Sequence, residues 1–162
     1  MVDDRGLVPI DPTLSAAPPP EDDLTEELRQ SALPGTTEIV DLMARSAEAL
    51  RQNPADCNGA LSNMRVALES TARCIAISLR ATLPGAFDER KWGSIIAFMK
   101  NSGFITEKEE GVLTGVYGFL SSGAHRPLGA DELEVAAIGR SVGALMCYFL
   151  IKRYNSFKEY PP

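Results

Sequence analysis

The sequence predicts an all-α protein: a bundle of four main helices, with one or two further helices added at the N-terminal side. Two observations lead there. From residue 23 onward, apolar residues recur at three- and four-residue steps, the spacing of one helix face. The periodic segments are separated by Pro34-Gly35, Asn53-Pro54, Pro84-Gly85 and Ser102-Gly103, residue pairs that end helices, and no alternating strand pattern competes. At 162 residues, with 44% hydrophobic and 23% charged residues, the chain suffices for one domain with a real core.

The elements follow in order. Asp23, with Glu26 three residues on, caps a short helix that ends near Leu33. Thr36 or Thr37 caps a second, whose apolar face carries Ile39, Leu42, Met43 and Leu50 and which "NPADCNG" breaks. The longest periodic segment runs from about Asp56 to Thr82 through Leu61, Met64, Leu68, Ala72, Ile75 and Leu79. Arg65, Glu69, Arg73 and Arg80 fall mostly off that face. Asp88 starts a fourth helix with Trp92, Ile95, Ile96 and Met99, closed at Gly103. Thr106 and Glu109 form a capping box for a fifth, with Val112, Leu113, Val116, Tyr117 and Leu120 on its apolar face. Asp131 with Glu134 caps a sixth, which continues to about Tyr154 through Ile138, Val142, Leu145, Met146, Phe149 and Leu150. Around residues 142–151 this last helix is apolar on nearly every side, as for a helix central to a core or shared with a partner.

Residues 1–22 read differently. Five prolines lie within the first twenty residues, bulky apolar groups are few, and such a segment stays disordered unless a partner holds it. Its Pro18-Pro19-Pro20 run reads as a linker, or else as a docking ligand. Residues 1–30 hold eight acids against two bases, a net of −6, which is the charge of the whole chain. The remaining fourteen acids and fourteen bases balance, so residues 31–162 are neutral as a set; residues 23–158 read as a single helical domain. The low pI therefore describes the tail, which could meet a protein partner or fold back over basic side chains. It neither excludes nor supports a nucleic-acid partner.

The three cysteines, Cys57, Cys74 and Cys147, are widely spaced in apolar helical contexts, where a free thiol behaves as a small buried hydrophobe. One histidine and no metal-ligand spacing predict no metal and no cofactor. The first residues lack a basic region followed by an apolar run, and "VGALMCYFLI" over 142–151 is too short to span a bilayer. A reducing, cytoplasmic setting without membrane attachment is the expectation.

The usual enzyme signatures are missing from the pattern. Glycines in "GALSN" and "GVLTGVYG" fall on helices without a following Lys-Ser/Thr, and the paired carboxylates Glu109-Glu110 and Glu132/Glu134 sit at helix N-termini, where the macrodipole explains them. The exception is "FLSSGAHRPLG" over 119–129, which links the last two helices and holds the only histidine, His125, followed by Arg126. An imidazole that moves a proton beside a guanidinium that holds a charged oxygen is what phosphate chemistry needs. The plainer reading is a helix-end histidine favoured by the dipole and a solvent-exposed arginine. Ser121, Ser122 and Tyr117, close to His125 in the chain, are the candidate ligand contacts.

The order "ALSNMRVALESTARCIAISL", "WGSIIAFMKNSGFIT", "VYGFLSSGAHRPLG" and a long apolar final helix resembles the HEPN-like (higher eukaryote and prokaryote nucleotide-binding) helical domains. Within them it is similar to the C-terminal domains of bacterial abortive-infection proteins. The resemblance covers about residues 55–155. It implies a homodimer whose histidine-bearing helix ends meet across the interface, here with Val142, Leu145, Met146 and Phe149 at that interface. In catalytic members an arginine four to six residues before the histidine binds the scissile phosphate of RNA, and the histidine assists the proton transfers without a metal. His125 falls where the family's histidine stands. Residues 118–121, Gly-Phe-Leu-Ser, supply no arginine, and Arg126 follows the histidine instead. Arg80 or Arg90 could bring the missing cation from the end of another helix.

Three readings result. The first is a dimerising module of a phage-defence or toxin-antitoxin system that binds a protein partner or a phosphate-bearing ligand, RNA or a nucleotide, near His125 without catalysis. The second is an active metal-independent endoribonuclease using His125 with Arg126. The third is a purely structural or regulatory helical domain.

Overall fold

A computed structural model describes residues 20–121 and 131–160. These form six helices and no strand: α1 Pro20–Ser31, α2 Thr36–Arg51, α3 Cys57–Leu79, α4 Trp92–Asn101, α5 Glu107–Ser121 and α6 Glu132–Glu159. The all-α expectation holds among the described residues.

Helix α3 is the hub. It packs against α2, α4, α5 and α6, and twelve of its residues are buried, among them Leu61, Met64, Leu68, Ala72, Ile75 and Leu79. Asp56 caps it, its carboxylate accepting from the Gly59 amide at 2.7 Å. Helix α6 runs parallel to α3. A Cβ on Gly139 would lie 2.5 Å from Leu61 Cδ2, and one on Gly143 would lie 2.4 Å from Met64 Cγ, so two small residues let the two longest helices approach closely. Helix α5 lies antiparallel to both. Its last turn brings Leu120 against the same two glycines, while its first turn is tied to the far part of α6 by Arg153, which donates to Glu109 Oε1 at 3.0 Å and to the Phe104 carbonyl.

Several helix starts differ from expectation. The first helix begins at Pro20, three residues before the predicted boundary; proline suits a first helical position, where its missing N–H would be unpaired anyway. Asp23 is therefore an exposed residue inside α1 and not its cap. Gly35, at φ 79°, precedes α2 with no side-chain cap, so neither Thr36 nor Thr37 plays that part. Helix α4 starts at Trp92 and not at Asp88, whose carboxylate instead accepts from the Arg90 amide at 3.0 Å in the preceding turn. The capping box of α5 forms as predicted: the Thr106 amide donates to Glu109 Oε2 and the Glu109 amide to Thr106 Oγ1, at 2.6 and 3.3 Å. Asp131 caps α6 by accepting from the Leu133 and Glu134 amides, and the helix continues past Tyr154 to Glu159.

The last part of the acidic segment docks on the body. Leu24 and Leu28 are fully buried, and Glu27 accepts from Lys152 Nζ at 2.7 Å and Asn155 Nδ2 at 2.8 Å. Lys158 donates to the Ser31 carbonyl at 3.0 Å. Burying two leucines contributes roughly 3–6 kcal/mol before the ordering entropy is subtracted.

Helix α6 is long and apolar enough to cross a membrane by length and composition alone. Core helices pass the same test, and α6 buries Ala136, Gly139, Gly143, Ala144, Cys147, Leu150, Ile151 and Tyr154 among α1, α2, α3 and α5.

Candidate functional site

Three predicted site residues, Ser122, His125 and Arg126, lie outside the described residues. The nearest described point is Ser121, the exposed last residue of α5, whose Oγ donates back to the Tyr117 carbonyl at 2.7 Å. One turn earlier, Tyr117 stands in a polar cluster shared by α3 and α5.

That cluster begins with helix periodicity. Arg65, Glu69 and Arg73 sit at four-residue steps, so they share one stripe of α3, off the stripe that fills the core. Tyr117 on α5 faces this stripe. Its hydroxyl donates to Glu69 Oε2 at 3.2 Å and accepts from Arg65 Nη1 at 3.4 Å. Glu69 in turn accepts from Arg73 Nη2 at 2.6 Å, and Arg73 Nε donates to the Glu89 carbonyl at 2.8 Å. Trp92, the first residue of α4, stacks on the Tyr117 ring with centroids 4.3 Å apart and planes 7° from parallel. An offset aromatic pair of this kind adds about 0.5–1.5 kcal/mol beyond its area, and here it also fixes the ring whose hydroxyl joins the two charges. Tyr117 is thus half-buried and oriented from three helices.

The arginines are used unequally. Arg73 is held at two nitrogens by Glu69 and the Glu89 carbonyl, and Arg153 by Glu109 and the Phe104 carbonyl. Arg65 makes only its contact with Tyr117 among the described residues, which leaves most of its guanidinium donors uncommitted. An arginine held at one nitrogen, with its remaining fork open, is suited to a carboxylate or phosphate oxygen. Arg80, named as a source of the missing cation, instead pairs with Glu89 at 2.9 Å and lies over the Phe87 ring. Arg90 is exposed in the turn before α4, beside Asp88. Arg65 is the arginine that the fold brings to the last turns of α5.

Two of the three cysteines are held as thiols by burial. Burial pushes the Cys147 thiol up to about 12, and burial also raises that of the half-buried Cys74, so neither is a thiolate at neutral pH. No group of three or more metal-ligating side chains occurs among the described residues.

The four residues named for a dimer interface lie on the outer side of α6. Leu145 is exposed, and Val142, Met146 and Phe149 are partly buried. With Ile138, and with Val112 and Phe119 of α5, they form an apolar strip whose open members are 41–57% exposed. Val112, Leu113, Met146 and Phe149 line a cleft of about 180 Å³ between α5 and α6. Val112 and Ile138, expected on core faces, belong to this strip instead.

Comparison with protein-family models, with curated proteins and with solved structures found no match. Sequence reasoning placed Arg65 and Glu69 off the core face but did not join them to Tyr117. Their four-residue spacing was the available signal; the partner across α5 was not, because nothing local in the chain sets the rotation of one helix against another.

Proposed function

We propose that the chain is a dimerising HEPN-like helical module of a bacterial defence system, of the abortive-infection or toxin-antitoxin kind, acting in the cytoplasm. It pairs through the outer face of α5 and α6 and binds a phosphate-bearing ligand, RNA or a nucleotide, at the α5 end near His125, without turning it over. The observation that carries this reading is the apolar strip of Val112, Phe119, Ile138 and Leu145, which a monomer leaves in water. The strip reaches the last turns of α5, through Phe119. The open guanidinium fork of Arg65, one turn below Ser121, supplies a fixed cation at that end.

The test is the mass in solution as a function of concentration, for the wild type and for Leu145→Asp. The wild type is expected to be a dimer at micromolar concentration. Leu145→Asp is expected to be a folded monomer, because the Leu145 side chain is 45% exposed in the isolated chain and a charge there meets water. A wild type that stays monomeric at high micromolar concentration removes the reading. Incubation with mixed RNA in EDTA, beside His125→Ala, separates binding from turnover. Intact RNA with both proteins is expected, whereas cleavage by the wild type alone replaces binding with a ribonuclease activity.

A further inference from the structure

The same apolar strip has a second candidate occupant within the chain. On the α6 wheel, Ile138, Val142, Leu145 and Phe149 lie between two contact lines. Lys152 and Asn155 mark the line that meets α1, and Gly139, Gly143 and Arg153 mark the line that meets α5. The strip is therefore the floor of a trough with α1 on one side and α5 on the other.

Helix α1 runs parallel to α6, since Glu27 meets Lys152 and Asn155 while Ser31 meets Lys158 further along. Pro20 lies seven residues before Glu27, roughly 10 Å back along the helix, which sets it beside the part of α6 near Leu145. Helix α1 thus begins at the edge of the trough. Nineteen residues precede that point, and among them Leu7, Val8, Ile10 and Leu14 are apolar, with Asp3, Asp4 and Asp11 around them. Five residues, 15–19, reach up to about 16 Å when extended, enough to carry Leu14 from Pro20 onto the strip. Lys108, exposed at the rim of the α5–α6 cleft and without a carboxylate partner among the described residues, offers the opposite charge to these acids.

We propose that residues 7–14 cover the strip of Ile138, Val142, Leu145 and Phe149 in the single chain, and compete there with the second copy. This rests on the dimer reading for its consequence but not for its contact. A segment tethered by so short a link meets its site at a millimolar effective concentration, so an affinity too weak to measure between separate molecules suffices. If the segment covers the strip in about two chains out of three, both partners must shed it, and the apparent dimer dissociation constant rises about tenfold.

The experiment compares the full chain with its Ile10→Asp/Leu14→Asp variant, which alters no residue of the folded body. Two quantities are measured: dimer dissociation by sedimentation, and the fluorescence of an apolar-surface dye under conditions where the chain is monomeric. The expected result is brighter dye emission and a dimer about tenfold tighter in the variant. Leu145→Asp placed on top of the variant should return the dye signal to a low value and abolish the dimer. Equal dye emission in wild type and variant overturns the proposal, and leaves the dimer reading standing if both dimerise. Brighter emission from a variant that never dimerises supports the segment's contact while the dimer reading falls.

Discussion

The two flanks of α6 differ in how completely their groups are paired. On the α1 flank, Glu27, Lys152, Asn155 and Lys158 are each hydrogen-bonded across the helix pair, over buried Leu24 and Leu28. On the other flank, between α1 and α5, Ile138, Leu145 and Val112 stand open to water. The paired flank has the anatomy of a finished interface, with an apolar centre and a polar rim. The open flank has an apolar centre that no other element covers among the described residues.

The sharpest way to break this comparison is to truncate one leucine on each side. Leu28→Ala should cost about 2–4 kcal/mol in urea unfolding, because the site is closed and a cavity remains. Leu145→Ala, measured where the chain is monomeric, should stay within about 0.5 kcal/mol of the wild type. Equal losses would show that the open flank is already covered inside the single chain, as the segment contact requires in part, and the Ile10→Asp/Leu14→Asp background would then remove the Leu145 cost.

A smaller effect is expected where the two longest helices meet. Gly143→Ala places a methyl group where Met64 and Leu120 leave no room, and should lower stability by about 1–3 kcal/mol. Because Leu120 contacts the same point, the change should also loosen the end of α5, which hydrogen exchange in residues 113–121 would report. Gly111→Ala, where nothing lies within 4 Å, should be neutral or slightly stabilising.

The smallest effect concerns pH. The Lys152 ammonium, and then the Asn155 amide, donate to Glu27 and hold its carboxyl below the usual carboxylate range. A depressed folded value means that the contribution is present in full above the unfolded pKa and fades as pH falls through the folded one. Glu27→Gln should therefore be less stable than the wild type at pH 7, and the gap should narrow as pH falls below the usual carboxylate range. Urea midpoints of the two proteins at pH 7 and 3.5 check this. A gap that widens in acid would mean that Glu27 is bound as the neutral acid.

The fold class and most of the core were legible because both depend on local order. Leu61, Met64, Leu68, Ala72, Ile75 and Leu79 mark one face of α3, and all six are buried. Val112 and Ile138 failed for a physical reason: the same periodicity fits a face turned to the core and a face turned outward. Helix starts at Asp23, Thr36 and Asp88 failed because a capping side chain is only an opportunity: α1 begins earlier, at Pro20, and α2 and α4 follow Gly35 and Lys91 without a side-chain cap.

By itself, the sequence determined six helical segments, their breaks, an acidic proline-rich leader and a neutral body, since hydrophobic spacing, turn residues and charge are properties of neighbours in the chain. Only the tertiary structure decided that Tyr117 joins Glu69 to Arg65, that Arg80 is spent on Glu89, and that α6 turns Leu145 outward. Those facts depend on how each helix is rotated about its axis, and that rotation is set by the combined packing of α3, α5 and α6 around Gly139 and Gly143.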